Sequence, residues 1–376
     1  MCKRPTPASC SILGSRGINT DINAGVIEGF FGRPWGWPER FGGAEFLRDN
    51  GFEFYIYAPK ADAFLRRSWR EPLPAEVVLR LSQLAQQCRK LGISFGIGLT
   101  PFEIYLNYDS HAQAQLRAKV RQINEIGADL LCILFDDMRG DIQGLADLQG
   151  RVVLDACSWS TAARFIACPT YYSYDVRLAR EFGPPPKAYL RDLGRILDAR
   201  IEFFWTGEKI ISDGYSSEHL RDVAEVIGRR PFIWDNHIAN DARSRTNHLY
   251  LDPAAGSWRL PAHRVAGLAI NPMNQPHLSR IALLGYLRLL APASPPPPRR
   301  QALREICTSL CGPPPLAQRL LEDIGLLQDT GLAKLDAEMR RGLLDFYGAQ
   351  TTDPYAQEIA AWLRGEYVFD PQCLTS

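Results

Sequence analysis

Eight short apolar runs, rich in β-branched and aromatic residues, recur along this chain, and most of them precede a helical stretch. The runs span residues 25–32, 53–60, 94–101, 129–137, 163–172, 201–207, 231–237 and 265–272. Strands that alternate with helices are typical of a parallel sheet, and eight such units indicate a closed barrel more than an open sheet. The sequence therefore predicts an α/β fold, a (β/α)₈ TIM barrel followed by a small C-terminal helical unit.

The helical stretches are recognised by their periodicity and by the residues at their ends. In residues 74–92 the apolar side chains recur at helical spacing, Pro74 stands near the expected first turn and Gly92 follows the last. The same pattern predicts helices at 116–127, 187–199, 217–227 and 278–290. The seventh unit is the weakest, because the chain is polar and loop-like between Asn236 and Val265.

A proline-rich stretch divides the chain. Residues 292–300 read PASPPPPRR, a composition that favours a stiff polyproline spacer over a helix or a central strand. We therefore predict an N-terminal extension over 1–24, a catalytic barrel over 25–291, a linker over 292–300 and a C-terminal helical region over 301–376. From its helix content, we expect this last region to pack on the barrel or to support a homodimer.

Composition restricts the partners. Lysine and arginine number 43 against 42 for aspartate and glutamate, so no long-range field attracts nucleic acid or an anionic membrane. No run of about 18 apolar residues predicts a membrane span, and residues 1–17 lack the apolar core of a signal peptide. The nine cysteines include no CxxC pair, which favours a reducing, cytoplasmic location without a metal site.

The ends of the predicted strands are where chemistry is expected, since (β/α)₈ enzymes build their active sites at the C-terminal ends of the strands. These ends carry acids, amides, aromatic residues and glycines, namely Glu28, Gly29, Lys60, Glu103, Asp136, Asp137, Tyr171, Tyr172, Trp205, Thr206, Gly207, Trp234, Asp235, Asn236 and Asn271. Aromatic faces stack on sugar C–H surfaces, and amides and carboxylates hold hydroxyls. Each residue has a structural explanation when taken singly, but the set predicts a carbohydrate site.

Asp136 and Asp137 form the sharpest local feature. Two carboxylates that end an apolar strand are costly to bury unless they are hydrogen-bonded, bind a metal or act in catalysis. Their mutual repulsion should raise the proton affinity of at least one of them, as a catalytic acid requires. Capping of the next helix and a magnesium site are the alternatives, although no phosphate-binding glycine loop accompanies the pair.

The adjacency of the two aspartates also restricts the mechanism. Retaining glycosidases commonly place two carboxyls about 5–5.5 Å apart across the scissile bond, and inverting enzymes about 6.5–9.5 Å apart. Neighbours at one strand end are poorly placed to straddle a bond in that way. They are well placed if the substrate supplies the nucleophile, with one carboxylate steering an N-acetyl group and the other protonating the leaving oxygen.

Eight segments stand in order along the chain, namely GVIEGFFGRPW (25–35), YIYAPKAD (55–62), WREP (69–72), LFDDM (134–138), CPTYY (168–172), FWTG (204–207), WDNHIAND (234–241) and NP (271–272). Together they resemble the motifs of glycoside hydrolase family 84, the family of protein O-GlcNAcase and related bacterial β-N-acetylglucosaminidases. The resemblance implies a catalytic barrel that hydrolyses terminal β-linked N-acetylglucosamine with retention. The implied mechanism is substrate-assisted, passes through an oxazoline intermediate and uses no metal or cofactor.

The resemblance also implies a role for each matched residue. Asp136 would orient the 2-acetamido group, and Asp137 would act first as general acid and then as general base. The implied substrate-binding residues are Tyr172, Asn236 and Trp234 at the acetamide, Gly29 and Lys60 at a sugar hydroxyl, Asp241 at the outer hydroxyls, and Asn271 as a supporting amide. The implied partner is a β-N-acetylglucosaminide carried by a glycoprotein or a small glycoside.

Two departures from the family pattern lie near the site. Phe31 replaces a tyrosine, and Ala61 replaces an acid next to Lys60. These departures bear on aglycone preference and efficiency. Two other functions stay open: a catalytically retired barrel that binds N-acetyl sugars, and a hydrolase for another amino-sugar glycoside. Retention of both aspartates argues against the retired barrel, since loss of the acid would be its expected mark.

Overall fold

The eight predicted strands form a closed parallel barrel in which each strand pairs with its neighbours in the sequence and β8 pairs with β1. The computed structural model describes residues 22–291, 298–312 and 315–375. The strands are β1 Ala24–Glu28, β2 Phe54–Tyr57, β3 Ser94–Leu99, β4 Leu130–Leu134, β5 Arg164–Cys168, β6 Ile201–Trp205, β7 Phe232–Asp235 and β8 Gly267–Ile270. The predicted (β/α)₈ fold is confirmed.

Most strands are shorter than predicted, mainly at their C-terminal ends. Phe30, Phe135 and Tyr171 lie beyond the last ladder residue of their strands, yet all three are buried. Such residues keep the apolar composition of a strand while they pack over the end of the barrel core. Composition therefore extends the prediction into the loops that carry the site.

The helices that surround the barrel alternate with the strands. They are α1 Trp37–Asp49, α2 Ala75–Leu91, α3 Ser110–Ile126, α4 Leu145–Trp159, α5 Val176–Phe182, α6 Tyr189–Ile196, α7 Ser217–Ile227 and α8 Pro276–Leu290. The sequence did not predict α1, α4 or α5. In α1 the adjacent Gly42 and Gly43 lower the helical propensity, and burial of Phe46 and Leu47 compensates for that loss.

The C-terminal helices pack directly on the barrel. They are α9 Arg299–Cys311, α10 Leu316–Ile324, α11 Ala337–Gly348 and α12 Pro354–Leu363. The Trp362 indole donates to the Thr246 carbonyl at 3.1 Å, and the Leu332 amide donates to the Asn247 carbonyl at 2.7 Å. The long loop after β7 is thereby tied to the helical region.

Two predicted segments fall largely outside the described residues. Residues 1–21 of the N-terminal extension and 292–297 of the linker are among them, whereas Arg299 and Arg300 form the first turn of α9. No helix within the described ranges is both long and apolar enough to cross a membrane.

Candidate active site

One pocket at the C-terminal mouth of the barrel contains all nine catalytic and substrate-binding residues that the family resemblance implied. Its wall includes Gly29, Lys60, Asp136, Asp137, Tyr172, Trp234, Asn236, Asp241 and Asn271. These residues come from six strand ends and from the loop after β7, over more than half of the chain. The structure therefore brings the predicted set together, while the role of each member stays a prediction.

Asp136 is held by an ion pair. One of its carboxylate oxygens accepts a hydrogen bond from the Lys60 ammonium, and both side chains are almost fully buried. Lys60 is fixed in turn by its backbone amide, which donates to the Phe30 carbonyl at 3.2 Å, and its ammonium lies 5.4 Å from the centre of the Trp234 ring. The second oxygen of Asp136, Oδ1, is buried and has no hydrogen-bond partner among the described residues. This oxygen can accept a donor from a bound ligand.

Asp137 has a different environment. Burial, and next the charge of Asp136, raise the pKa of the Asp137 carboxyl to about 6, although Lys60 and Arg66 act in the opposite direction. The Tyr172 hydroxyl donates to Asp137 Oδ1 at 3.3 Å. A carboxyl with this pKa holds a proton far more often near neutral pH than an exposed one does, which suits a general acid.

A chain of amide hydrogen bonds fixes the opposite wall of the pocket. Asn236 Oδ1 accepts from the Trp234 indole at 3.0 Å and from Asn271 Nδ2 at 2.9 Å, and Asn236 Nδ2 donates to the Ile210 carbonyl at 3.0 Å. Asn271 Oδ1 accepts from the Gly29 amide at 3.1 Å. Each amide thus has one defined orientation before a ligand arrives, which lowers the ordering cost of binding.

Gly29 is required by the position of Trp234. A Cβ atom on residue 29 would lie 2.3 Å from Cζ2 of the Trp234 indole, well inside the contact distance of two carbon atoms. The indole therefore approaches the backbone after β1 as closely as the polypeptide allows. This approach shapes the floor of the pocket between β1 and β7.

Asp241 lies in the loop after β7, at the rim. Its Oδ2 accepts a hydrogen bond from the Phe31 amide at 2.8 Å, and burial raises the pKa of the carboxyl. Of the two departures from the family pattern, Phe31 lines the pocket, whereas Ala61 is exposed and lies outside its wall.

Comparison with known proteins agrees with the family that the sequence motifs indicated. The family model described as NAGidase, beta-N-acetylglucosaminidase, matches residues 24–305. This chain belongs to the beta-N-acetylglucosaminidase family. The match covers the whole barrel and α8, and it confirms the resemblance that the strand-end motifs indicated.

Relatives of this beta-N-acetylglucosaminidase family member include two mammalian proteins. Protein O-GlcNAcase of Mus musculus is 29% identical over 273 residues, which are 70% of this chain and 29% of that protein. Protein O-GlcNAcase of Rattus norvegicus is 30% identical over 268 residues, 69% of this chain and 29% of that protein. The chain thus spans less than a third of the length of these curated relatives.

A solved structure extends the similarity. A mutant of the O-GlcNAc hydrolase of Thermobaculum terrenum superposes with a TM-score of 0.72 at 26% identity. The alignment covers 92% of this chain and 81% of that one. The similarity therefore includes most of the helical region as well as the barrel.

Three acidic strand-end residues do not join the pocket of this family member. Glu28 is completely buried and accepts two hydrogen bonds from the Arg40 guanidinium, at 2.9 and 2.7 Å. Asp235 accepts from the Trp258 indole at 2.7 Å and from the Tyr286 hydroxyl at 3.0 Å, and Glu103 is exposed. Glu28 and Asp235 are thus structural, and Asp235 anchors the long loop that follows β7.

Several pocket residues were missed by the sequence analysis. They are Cys168, Ile210, Ile211, Ala239, Ala242, Cys373 and Thr375, whereas Phe31 and Thr206 were named near the site but given no role. Cys168 and Ala239 lie inside family motifs that pointed to this region, whereas Cys373 and Thr375 lie in the C-terminal region without any motif. Among the described residues, no group of three or more histidine, cysteine or acidic side chains is placed to hold a metal ion.

Proposed function

We propose that this protein is a retaining exo-β-N-acetylglucosaminidase that acts by substrate-assisted hydrolysis. The observation that carries this proposal is the contrast between two adjacent carboxylates. Asp136 is paired with Lys60, whereas burial next to Asp136 raises the pKa of Asp137 to about 6. Two titratable neighbours in such different settings are typical of a site that divides charge stabilisation and proton transfer between them.

In the first step, Asp137 donates its proton to the glycosidic oxygen while the C1–O bond breaks. The carbonyl oxygen of the substrate's own acetamide attacks C1 and forms an oxazolinium ring. Asp136 Oδ1, buried without a hydrogen bond from the described residues, would accept the acetamide N–H and stabilise the positive charge. The ion pair with Lys60 holds the other oxygen in place.

In the second step, the Asp137 carboxylate removes a proton from water, and the water oxygen attacks C1. The bond between C1 and the acetamide oxygen breaks, which regenerates the acetamide and returns Asp137 to its protonated form. Two successive inversions at C1 give net retention. No further acid or base is needed.

The wall opposite the aspartates supports the recognition of an N-acetyl sugar. Trp234 and Tyr172 give a restricted apolar space for the acetamide methyl group, and the oriented amide of Asn236 lies beside it. Asp241 at the rim would accept hydrogen bonds from the outer hydroxyls. These roles follow from the resemblance, and the wall geometry supports them.

The decisive test is hydrolysis of an aryl β-N-acetylglucosaminide by the purified protein. We expect turnover by the wild type, a loss of about 10²–10⁴-fold in Asp137→Asn, and a severe loss in Asp136→Asn. The exposed Asp222→Asn on α7 is the matched control and should keep wild-type activity. The aryl β-glucoside, which has no acetamide, should not be hydrolysed.

Other outcomes identify the alternative functions. Binding of N-acetylglucosamine without turnover would make the protein a sugar-binding barrel, and faster hydrolysis of a β-N-acetylgalactosaminide would change the assigned sugar. Full activity in Asp137→Asn would overturn the division of labour between the two aspartates.

The cellular context is part of the proposal. We infer a reducing compartment such as the cytoplasm, which the seven unpaired cysteines of the described residues support. The aglycone, whether glycoprotein or small glycoside, and a homodimer built on the C-terminal helices stay predictions. Assays on glycosylated peptides and light scattering test these two points.

A further inference from the structure

Residues 367–375, which follow α12, cross the mouth of the barrel and are named the strap below. The strap contributes Cys373 and Thr375 to the wall of the active-site pocket. Both residues are buried, at 6% and 7% exposure, and the Thr375 side chain lowers the pKa of the Tyr172 phenol against the larger effect of burial. The strap therefore lies beside the residue that donates to Asp137.

Arginines on different sides of the mouth hold the strap in place. The side-chain oxygen of Gln372 accepts from Arg66 Nη1 at 3.3 Å and from Arg67 Nε at 3.0 Å, both after β2. On the β5 side, Arg177 Nη1 donates to the Thr375 carbonyl at 3.2 Å. In the loop after β7, the Arg243 guanidinium lies 4.5 Å from the centre of the Phe369 ring.

The space left under the strap is small. The pocket has a volume of about 60 Å³, whereas pockets that hold small organic ligands have about 300–1,000 Å³. A volume of that size holds a few water molecules but no hexosamine ring. With Cys373 and Thr375 of the strap in its wall, the pocket is therefore too small for the sugar.

The strap is also built so that it can leave. Val368 is 72% exposed and Leu374 is 50% exposed, so much of its apolar surface faces solvent. Apart from the buried Cys373 and Thr375, its contacts named above are hydrogen bonds and a ring contact to arginine side chains, and it has no strand or helix of its own. Segments with such contacts open at a lower free-energy cost than the core does.

We propose that the strap is an intrinsic lid that competes with the glycoside for the mouth of the active site. The sugar binds the open form, so the apparent dissociation constant equals the intrinsic one divided by the open fraction. The identity of the competing ligand rests on the proposed function. The existence of a closed strap conformation does not depend on that function. Regulation of the enzyme would then act through whatever shifts the strap.

The first experiment weakens the arginine contacts without touching the pocket wall. Gln372→Ala removes the acceptor shared by Arg66 and Arg67, and Gln318→Ala, exposed on α10, is the matched control. Peptide mass spectrometry measures the rate at which a maleimide labels Cys373. We expect this rate to rise several-fold in Gln372→Ala and to stay unchanged in Gln318→Ala. The dissociation constant for N-acetylglucosamine and the KM for the aryl glycoside should fall by a similar factor. Unchanged labelling, or faster labelling with unchanged or weaker sugar binding, would overturn the proposal.

The second experiment asks whether bound N-acetylglucosamine speeds or slows the labelling of Cys373 in the wild type. Saturating N-acetylglucosamine should accelerate the labelling of Cys373, because the sugar selects the open form. Protection of Cys373 by the sugar would mean that the strap closes over a bound ligand, which contradicts the competition. If the protein neither binds nor hydrolyses the sugar, the proposed function fails. In that case the difference in Cys373 labelling rate between the wild type and Gln372→Ala is by itself the test of whether the closed strap exists.

Discussion

At the scale of single residues, Asp137 combines two features that proteins usually avoid. Its backbone φ of +58° lies in the left-handed region, and its carboxyl is buried beside a second carboxylate. Each feature costs free energy, and the residue that carries both lines the pocket. Strain and burial at the same residue are typical of a site selected for activity over stability.

The raised pKa of Asp137 predicts how activity depends on pH. The first step of the proposed mechanism needs the protonated carboxyl, and its fraction falls as the pH rises through about 6. Beyond that point kcat/KM should decline by about tenfold per pH unit, and a pH series with the aryl glycoside measures this slope. A flat profile up to about pH 8 would contradict the assigned acid.

The Asp137 carboxyl should also lower the stability of the folded protein while it supports activity. The folded-state pKa of Asp137, about 6, exceeds its ordinary value of 3.8, so the stability present at low pH is lost as the pH rises through 6. Asp137→Asn removes the charge, and asparagine also tolerates the positive φ. We expect the inactive variant to gain about 2 kcal/mol in unfolding free energy over the wild type between about pH 4 and pH 7.5. Urea unfolding at the two pH values measures this, with Asp222→Asn as the control that shows no such trend.

Lys60 links the two aspartates electrostatically. Lys60→Met leaves Asp136 buried without its partner, a change that typically costs about 3–5 kcal/mol. It also removes a cation that lowers the pKa of Asp137, so the alkaline limb of the pH profile should move to higher pH. Lys209→Met, an exposed lysine paired with Asp213, should change neither property. An unshifted limb in Lys60→Met would mean that Lys60 does not influence the acid.

At the scale of elements, β1 and β7 meet in the contact between Gly29 and Trp234. Gly29→Ala places a methyl group 2.3 Å from the indole, so the ring must move and its hydrogen bond to Asn236 weakens. We expect KM to rise about tenfold and the unfolding free energy to fall by about 1–3 kcal/mol. Gly43→Ala is the control, because its Cβ meets no atom within 4 Å and helix propensity favours alanine there. A wild-type KM in Gly29→Ala would show that the indole position is unimportant.

The elements themselves were only partly predictable. The β-rich runs predicted all eight strands because alternation of strand and helix is written in local composition. Their ends were wrong because Phe135 and similar loop residues are as apolar as the strands. Helix α1 was missed because burial of Phe46 and Leu47, and not periodicity, stabilises it around two glycines.

At the scale of the whole molecule, α12 and α8 are joined by Glu358. This carboxylate is nearly buried and accepts hydrogen bonds from the His277 and Leu278 amides, both at 2.9 Å, at the N-terminus of α8. A carboxylate in this position satisfies free N–H groups and interacts favourably with the helix dipole. The helical region is therefore part of the same folding unit as the barrel.

Removal of that link should be visible in global stability. Glu358→Ala leaves buried amides unsatisfied, and we expect a loss of about 1–3 kcal/mol in the free energy of unfolding. The exposed Glu338→Ala on α11 should lie within about 0.5 kcal/mol of the wild type. Calorimetry should show one cooperative transition in all three proteins, and separate transitions for barrel and helices would contradict a single unit.

Local composition predicted the barrel, and the resemblance carried by the motifs predicted the family and implied the nine residues that the pocket brings together. Most of these motifs stand at strand ends, which the closure of a parallel barrel places on one rim. The different environments of the two aspartates were not predictable from local patterns, because the ion pair of Asp136 joins it to Lys60, 76 positions away. Only the tertiary structure decided that the strap from residues 367–375 lies over the site. Such contacts depend on packing between distant segments, and no local pattern in either segment encodes them.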